Sequence, residues 1–180
     1  GYRKAKRLML LAEQFSLPVI TFVDTAGAYP GLEGEERCQS EAIARNLATM
    51  SELKTPILVV VSGEGGSGGA LAISVGDHLS MLEYAIYSVA SPEACASIIW
   101  READKAPEAA KAMKVSSKDL KKINIIDEII TEPLGGAHRD YDLMAENIKS
   151  SLIKNLSILN KLSLDDLLDR RYKRILEIGS

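Results

Sequence analysis

Hydrophobic and polar positions change their spacing along the chain, and the changes predict helices and strands in turn. The first spacing is helical and predicts an amphipathic helix whose apolar face consists of Leu8, Leu11, Ala12 and Phe15. Residues 19–23 are β-branched or aromatic in most positions, which predicts a strand ending at Asp24, and a loop is expected over residues 25–34. Helical spacing then returns over residues 43–53.

A continuous apolar run at residues 57–61 predicts a buried strand. Every position in this run is Ile, Leu or Val, which suits a parallel strand that is covered on both faces. A glycine-rich turn is expected next, over residues 63–69, before a helix that begins over residues 70–75. Residues 85–89 predict a further strand.

The remainder of the chain predicts helices around one more strand. Ser91 and Pro92 are typical of an N-cap and a first helical turn, and residues 125–130 predict a short strand. Two helices are expected to close the chain, and the second begins with a capping box formed by Ser163 and Asp166. The first has an apolar stripe that we expect to pack on another helix or subunit, namely Met144, Ile148, Leu152, Leu156 and Leu159. The alternation of strands and helices predicts an α/β fold.

Composition narrows the class of protein. With 180 residues, 46% hydrophobic and 26% charged, the chain resembles an ordinary soluble globular protein, and one domain is expected over residues 1–180. The formal net charge of −3 is spread over both signs, so nucleic acid is not an expected partner. No run approaches the ~20 apolar residues of a membrane span. The only cysteines, Cys38 and Cys95, indicate a reducing compartment, and a cytoplasmic location is therefore expected.

Two basic clusters lie near the ends of the sequence. They consist of Arg3, Lys4, Lys6 and Arg7, and of Arg170, Arg171, Lys173 and Arg174. Contacts with the phosphates of a ligand or with an acidic partner surface are one interpretation, but solvated helix faces are the favoured one. The sequence begins with glycine and a helix is predicted almost at once, so we expect a piece of a longer gene product.

The turn at residues 63–69 has the strongest chemical character in the sequence. Five of its seven positions are glycine, and it joins a buried strand to a helix. The first N–H groups of a helix have no intrahelical acceptors, and glycines let a ligand reach the backbone without meeting a Cβ atom. The turn is therefore predicted to present N–H groups to a small anionic oxygen, as an oxyanion hole does.

Other interpretations of this turn remain open. A dinucleotide site is weak because no acidic residue follows at the expected distance, and a phosphate-binding loop lacks its lysine after Gly68. Close packing of a strand on a helix is the structural alternative. The main rival is a hydrolase in which Ser67 is the nucleophile, with a histidine as base and an aspartate to orient it. The candidates for those two roles are His78 or His138, and Asp77 or Asp140.

A second turn, over residues 24–31, follows the preceding predicted strand. Parallel strands leave their carboxyl ends at the same edge of a sheet, so both turns are expected to line one crevice. Tyr29, between glycine and proline residues of this turn, is equally well explained by packing.

Several long motifs together resemble one known family. They lie at residues 2–5, 24–25 with 27–31, 39–46, 63–72, 91–93, 95–97, 103–107 and 132–138. At these residues the chain is similar over its whole length to alpha subunits of the carboxyltransferase of bacterial-type, multi-subunit acetyl-CoA carboxylase. Ala26 stands where many relatives have proline, and the longer N-terminal region of that family is not part of this sequence.

The resemblance implies a fold and a reaction. The fold is a crotonase-like (ClpP-like) superhelix of ββα units with a helical C-terminal extension. The reaction moves a carboxyl group from carboxybiotin, held on a biotin carboxyl carrier protein, to acetyl-CoA and gives malonyl-CoA for fatty acid synthesis. The implied partners are a beta subunit in an α2β2 heterotetramer, which carries zinc, and a biotin carboxylase, which uses ATP. We expect the isolated chain to be inactive and to hold no metal.

The same resemblance implies the site residues. The amides of Gly68 and Gly69 form the oxyanion hole for the ureido oxygen of biotin, and Gly65 and Gly66 shape the loop. Substrate-binding positions in the first turn are Gly27, Ala28 and Tyr29. This chemistry agrees with the turn itself, because charge that develops on a ureido oxygen needs preorganised N–H donors more than a catalytic side chain.

Overall fold

A parallel β-sheet forms the centre of the computed structural model, which describes residues 1–178. Within those residues the strands are β1 Val19–Thr25, β2 Ile57–Gly66, β3 His78–Leu82, β4 Ile86–Ser88 and β5 Glu128–Ile130. The order is β1-β2-β3-β5, and β4 lies beside the end of β2. All pairings between these strands are parallel, so crossover connections are required and helices supply most of them. The predicted α/β class is confirmed.

Helices surround the sheet. They are α1 Tyr2–Gln14, α2 Leu32–Glu36, α3 Gln39–Glu52, α4 Ser67–Leu71, α5 Pro92–Trp100, α6 Ala106–Met113, α7 Ser117–Lys122, α8 Tyr141–Leu159 and α9 Leu164–Leu176. Both predicted N-caps are confirmed, because Ser91 Oγ accepts a bond of 3.2 Å from Ala94 N and Ser163 Oγ accepts one of 3.1 Å from Asp166 N. The sequence predicted neither the single turn of α2 nor helices α6 and α7.

Strand β2 is the centre of the sheet, and its five apolar residues at 57–61 are all buried, as predicted. Val59 lies between Thr21 of β1 and Leu79 of β3. The strand does not end there, however, because residues 64–66 pair with β4 where β3 has stopped being the neighbour. The prediction of a turn over the whole of residues 63–69 was therefore wrong in its first half, where the glycines continue the strand.

Strand β3 was missed in the sequence. All five of its residues, His78–Leu82, are buried between β2 and β5. Its two polar side chains have neighbours in the interior: His78 Nε2 lies 3.3 Å from Glu128 Oε2, and Ser80 Oγ lies 3.4 Å from Ser151 Oγ. A short strand with polar side chains inside a parallel sheet has no local pattern that distinguishes it from a loop.

The buried face of α1 differs from the predicted one. Leu8, Leu11 and Phe15 are 46%, 42% and 62% exposed, whereas Met9 is 3% exposed and joins the core. The helix packs closely on α3 through a side that includes the small residue Ala5. Small side chains on a contact face let two helices approach, so the larger apolar residues lie outside the contact.

The apolar stripe on α8 is covered, as predicted. Met144 and Leu159 are buried, and the three leucine or isoleucine residues between them in the stripe are partly buried against the core. The cover is the sheet and the last helix of this chain, because Leu159 packs with Leu58 of β2 and Leu167 of α9. No second subunit is needed to shield this face of α8.

Two arginines of α9 lie one turn apart and bind aspartates at the amino-terminal edge of the sheet. Arg171 is fully buried, and its Nε and Nη2 donate to Asp77 Oδ1 and Oδ2 over 2.8 and 2.7 Å. It also donates to three carbonyl groups that follow α3 or end it, those of Met50, Leu53 and Thr55. Arg174 Nη2 lies 2.9 Å from Asp127 Oδ2. The interpretation of these two arginines as a solvated face was wrong.

The two aspartates also hold the strands directly. Asp77 Oδ2 accepts a bond of 2.7 Å from the N–H of Ile57, the first residue of β2. Asp127 Oδ2 accepts a bond of 2.7 Å from the N–H of Leu79 in β3. Each carboxylate therefore joins one neighbouring strand to α9, and we call Asp77, Asp127, Arg171 and Arg174 the aspartate–arginine clamp.

We predict that Arg171→Ala lowers the free energy of unfolding by ~3–5 kcal/mol, because it leaves the buried Asp77 carboxylate without its cation. Urea unfolding of the chain measures this. Arg170→Ala is the matched control, since Arg170 is the exposed neighbour on the same helix and should change stability by less than ~0.5 kcal/mol. Equal stability of the two variants would show that the clamp contributes nothing.

Candidate functional site

The turns that follow β1 and β2 are in backbone contact at the carboxyl edge of the sheet. A Cβ atom on Gly66 would overlap the carbonyl group of Ala26, and one on Gly69 would lie 2.5 Å from Gly27 C and 2.6 Å from Ala28 N. Side chains cannot be accommodated at such distances. The two turns thus lie together, as the parallel sheet predicts, and glycine at positions 66 and 69 is a condition of their contact.

The first glycines of the run have a packing role. Asp24 Oδ1 accepts a bond of 3.0 Å from Glu64 N, and the Asp24 carboxylate fills the place that a Cβ atom of Gly63 would need. A Cβ atom on Gly65 would lie 2.5 Å from Cδ2 of Tyr87, whose ring covers this strand. The structural alternative of close packing therefore explains Gly63 and Gly65, and it explains the contact made by Gly66.

Gly68 is different, because no neighbour requires the absence of its side chain. The nearest atom to a Cβ there would be Ile43 Cδ1, at 4.0 Å. Gly68 is half-buried and Gly69 is buried, at the start of α4. Both glycines lie in the first turn of α4, where N–H groups have no intrahelical acceptor, and within residues 1–178 no turn, loop or cap bond takes up the N–H of either one. These are two adjacent donors that are held in place and available.

A cavity of about 400 Å³ lies beside Gly68. Most of its wall is apolar, and the side chains that form it include Leu71, Val89 and Met113. Ser67, Tyr87 and Ser88 are the lining residues with hydroxyl groups. An apolar cavity beside the first turn of a helix, where N–H groups lack intrahelical acceptors, has the usual composition of a small-molecule site.

The predicted site residues do not all meet. Gly27 and Ala28 lie against Gly66 and Gly69, and Gly27 has a φ of +137°, which favours glycine. Tyr29, by contrast, is 61% exposed and lines a separate cleft with Arg3 and Arg37. Its carbonyl oxygen accepts a bond of 2.7 Å from Gln39 Nε2. Roles for these residues in binding substrate stay predictions.

The hydrolase interpretation lacks its partners. Ser67 is exposed and has a φ of +51°, but its hydroxyl has no hydrogen-bond partner within the described part of the chain. His78 is opposite Leu58 in the sheet, nine residues before Ser67 along β2, which places it roughly 25–30 Å away at ~3.3 Å per residue. Burial lowers the pKa of His78, although Asp127 and Glu128 act in the opposite direction.

The two candidate orienting aspartates have structural partners instead. Asp77 is engaged by Arg171, as described above. Asp140 caps α8, because its Oδ1 accepts a bond of 3.0 Å from Leu143 N. His138 is exposed in a 3₁₀ turn at Ala137–Arg139. Neither pair of residues forms a triad with Ser67.

Residues 1–178 contain no group of three or more His, Cys, Asp or Glu side chains placed to hold a metal ion. Both cysteines are free, with Cys38 exposed and Cys95 buried. No helix in the described range has the length and apolar character required to cross a membrane.

The sequence matches known proteins over its full length. The family described as acetyl co-enzyme A carboxylase carboxyltransferase-like matches residues 1–179. The chain is 60% identical over 179 residues to the acetyl-coenzyme A carboxylase carboxyl transferase subunit alpha of Vibrio cholerae serotype O1, covering 99% of this chain and 56% of that one. The same subunit of Alcanivorax borkumensis is 61% identical over 180 residues, or 100% of this chain and 56% of that one. The chain thus spans 56% of the length of these relatives.

Solved structures share the fold. Transcarboxylase 12S, crystallised as a hexamer with methylmalonyl-coenzyme A, has a TM-score of 0.66 at 24% identity, covering 72% of this chain and 27% of that one. A Pseudomonas malonate decarboxylase hetero-tetramer in complex with coenzyme A has a TM-score of 0.75 at 16% identity, covering 95% of this chain and 68% of that one. At these identities the likeness is one of fold. It confirms the crotonase-like α/β architecture that the sequence resemblance implies.

We predict opposite effects of alanine at the two adjacent glycines. Gly69→Ala forces a side chain against the backbone of Gly27 and Ala28 and should lower the free energy of unfolding by ~1–3 kcal/mol. Gly68→Ala has room and lies in a helix, so it should leave stability unchanged or raise it by ~0.4–1 kcal/mol. Urea unfolding of both variants distinguishes them, and similar losses in both would contradict the geometry.

We predict that Ser67 is not a nucleophile, because no base lies within reach of its hydroxyl. A fluorophosphonate probe should leave the chain unlabelled, as judged by intact-protein mass spectrometry. Ser67→Ala is the control for background reaction at other residues. Labelling of the original chain that disappears in Ser67→Ala would support the hydrolase interpretation.

Proposed function

The chain belongs to the acetyl co-enzyme A carboxylase carboxyltransferase-like family, and on that premise we propose that it forms the biotin-side half of a carboxyltransferase site. The reaction transfers a carboxyl group from carboxybiotin, presented by a carrier protein, to the methyl carbon of acetyl-CoA. The product is malonyl-CoA, in the first committed step of fatty acid synthesis. The activity is that of the alpha subunit of acetyl-CoA carboxylase carboxyltransferase.

One observation carries this proposal: the adjacent N–H groups of Gly68 and Gly69 lie in the first turn of α4, and Gly68 lines an apolar cavity. Loss of a carboxyl group from a ureido nitrogen leaves negative charge on the ureido oxygen. The two N–H groups would bind that oxygen and stabilise the charge as it develops. The ureido nitrogen that loses the carboxyl group takes up the proton that the methyl carbon of acetyl-CoA gives away, so no side-chain base is required.

The cavity fits the group that would be bound. Its volume of about 400 Å³ and its apolar wall suit a bicyclic ring with a short aliphatic chain. The open position at Gly68 lets that ring approach the N–H groups, because nothing but Ile43 Cδ1 lies within 4.0 Å of where a Cβ would be. Gly65 and Gly66 contribute to the site indirectly, by allowing the contacts that hold the turn.

The proposed site is completed by a second polypeptide. A carboxyl transfer develops charge on the ureido oxygen and on the thioester oxygen of acetyl-CoA, and we assign the N–H groups of Gly68 and Gly69 to the first of them. The second set of donors and the zinc are assigned to a beta subunit, in an α2β2 assembly. Biotin carboxyl carrier protein and biotin carboxylase are the further proposed partners, and the cytoplasm is the proposed location. The subunit name of the curated relatives supports a partner of this kind.

We predict that Gly68→Val lowers turnover by ~10²–10³, because the branched side chain obstructs the oxygen that the N–H groups bind. The measurement uses the full-length subunit assembled with its beta subunit, with malonyl-CoA and biocytin as substrates in the reverse direction. Gly68 is the position to replace, since valine at Gly69 would disturb the contact with Gly27 and confuse misfolding with chemistry.

Ala110→Val, on the exposed side of α6, is the matched control and should keep full activity. Thermal unfolding and subunit association are measured beside the rate for both variants. An assembly of the original sequence that does not turn over these substrates would contradict the proposed function. An intact Gly68→Val assembly with normal turnover would contradict the role of the glycine donors alone.

A further inference from the structure

Tyr87 touches the polypeptide on both sides of the glycine donors. On the near side, it is the register partner of Gly65, and its ring occupies the space where a Cβ of Gly65 would lie. On the far side, its hydroxyl lies 2.7 Å from the Ser74 hydroxyl. Gly68 and Gly69 lie between these two contacts in the sequence. One side chain therefore bridges the end of β2 and the segment that follows α4.

The contact with Ser74 is transmitted to the donors through short backbone bonds. Ser74 N donates to Leu71 O over 3.1 Å, and Ile73 N donates to Ala70 O over 3.1 Å. These bonds join Ser74 to α4, whose second and third residues are Gly68 and Gly69. A displacement at Ser74 would therefore rotate or tilt the short helix that contains the donors.

A second side chain holds the same segment from the opposite direction. Thr21 Oγ1, on β1, donates to Ile73 O over 2.7 Å. The segment after α4 is thus anchored by β1 and by β4, and the loss of one anchor leaves the other in place. Removal of the Tyr87 hydroxyl should change the orientation of the donors without unfolding the turn.

We propose that Tyr87 is a positioning residue, which fixes the direction of the Gly68 and Gly69 N–H groups through its ring on Gly65 and its hydroxyl on Ser74. This inference rests on the proposed function, because those N–H groups are the proposed donors. Orientation matters in such a site because a donor stabilises a developing charge only when it points at the oxygen. Although Tyr87 also lines the cavity, the proposed role is to hold the glycine turn through Gly65 and Ser74 and not to contact the substrate.

The test uses the full-length subunit assembled with its beta subunit. Tyr87→Phe and Ser74→Ala each remove the hydroxyl contact and should lower kcat by roughly three- to tenfold, with KM for malonyl-CoA unchanged. The double variant should resemble either single one, because both remove the same contact. Tyr87→Leu also removes the ring and should lower kcat by ~10²-fold.

Thr55→Val is the control for a purely structural role. It removes a comparable bond, of 2.7 Å from Thr55 Oγ1 to Leu17 O, at the opposite end of β2, so it should lower Tm but not kcat. Tyr87→Phe with the kcat of the original assembly would overturn the inference while the proposed function stands.

Hydrogen exchange supplies a readout that does not depend on activity. Amides of residues 66–74 should exchange faster in Tyr87→Phe than in Thr55→Val, because the first variant loosens the segment that contains the donors. Equal exchange in the two variants would overturn the positioning role whether or not the assembly turns over substrate.

Discussion

The contact between two backbones, where β1 and β2 end, is the constraint on which the rest of the site depends. At Gly66 and Gly69 a single added carbon would overlap the peptide groups of Ala26–Ala28. Glycine is costly in conformational entropy, and here that cost is offset by a contact that no other residue permits. The glycines of residues 63–69 thus differ in role. Four of them leave space that neighbouring atoms occupy, and Gly68 is the one with open space where a Cβ would lie.

The two edges of the sheet are specialised in different ways. At the amino-terminal edge, the aspartate–arginine clamp joins strands to α9 by ionic bonds between buried or half-buried side chains. Glu128 extends this polar region: burial alone would raise its pKa, but hydrogen bonds from Ser151, Asn155 and Lys154 lower it. At the carboxyl edge, the backbones of two turns are in contact, and the Asp24 carboxylate accepts a bond from Glu64 N there. Ligand sites in parallel sheets occur at that edge, and the rigid opposite edge keeps the strands in register beneath it.

Some of this architecture was predictable because its causes are local. The apolar run 57–61, the serine caps and the stripe on α8 each depend on residues close in sequence. The strand role of Gly63 and Gly65 was not predictable, since Asp24 and the Tyr87 ring that occupy their Cβ space lie 39 and 22 positions away. The same holds for β3, whose polar residues lie next to Glu128 and Ser151, from elements much later in the chain. The glycine run at residues 63–69 was recognised because its composition is unusual, whereas the contact between Tyr87 and Ser74 leaves no sequence pattern.

The clamp also has a consequence for how the chain matures. Arg171 follows Asp77 by 94 residues. During synthesis the Asp77 carboxylate, which binds the first residue of β2, is therefore made long before the arginine that neutralises it. Until α9 has left the ribosome, burial of that carboxylate is unfavourable, and the amino-terminal edge of the sheet stays open to water. Contacts between residues so far apart in sequence form slowly, although the entropic cost of closing the loop rises only gradually with its length. In a nascent or prematurely terminated polypeptide that lacks α9, the strand ends at the amino-terminal edge of the sheet are therefore accessible to proteases and chaperones.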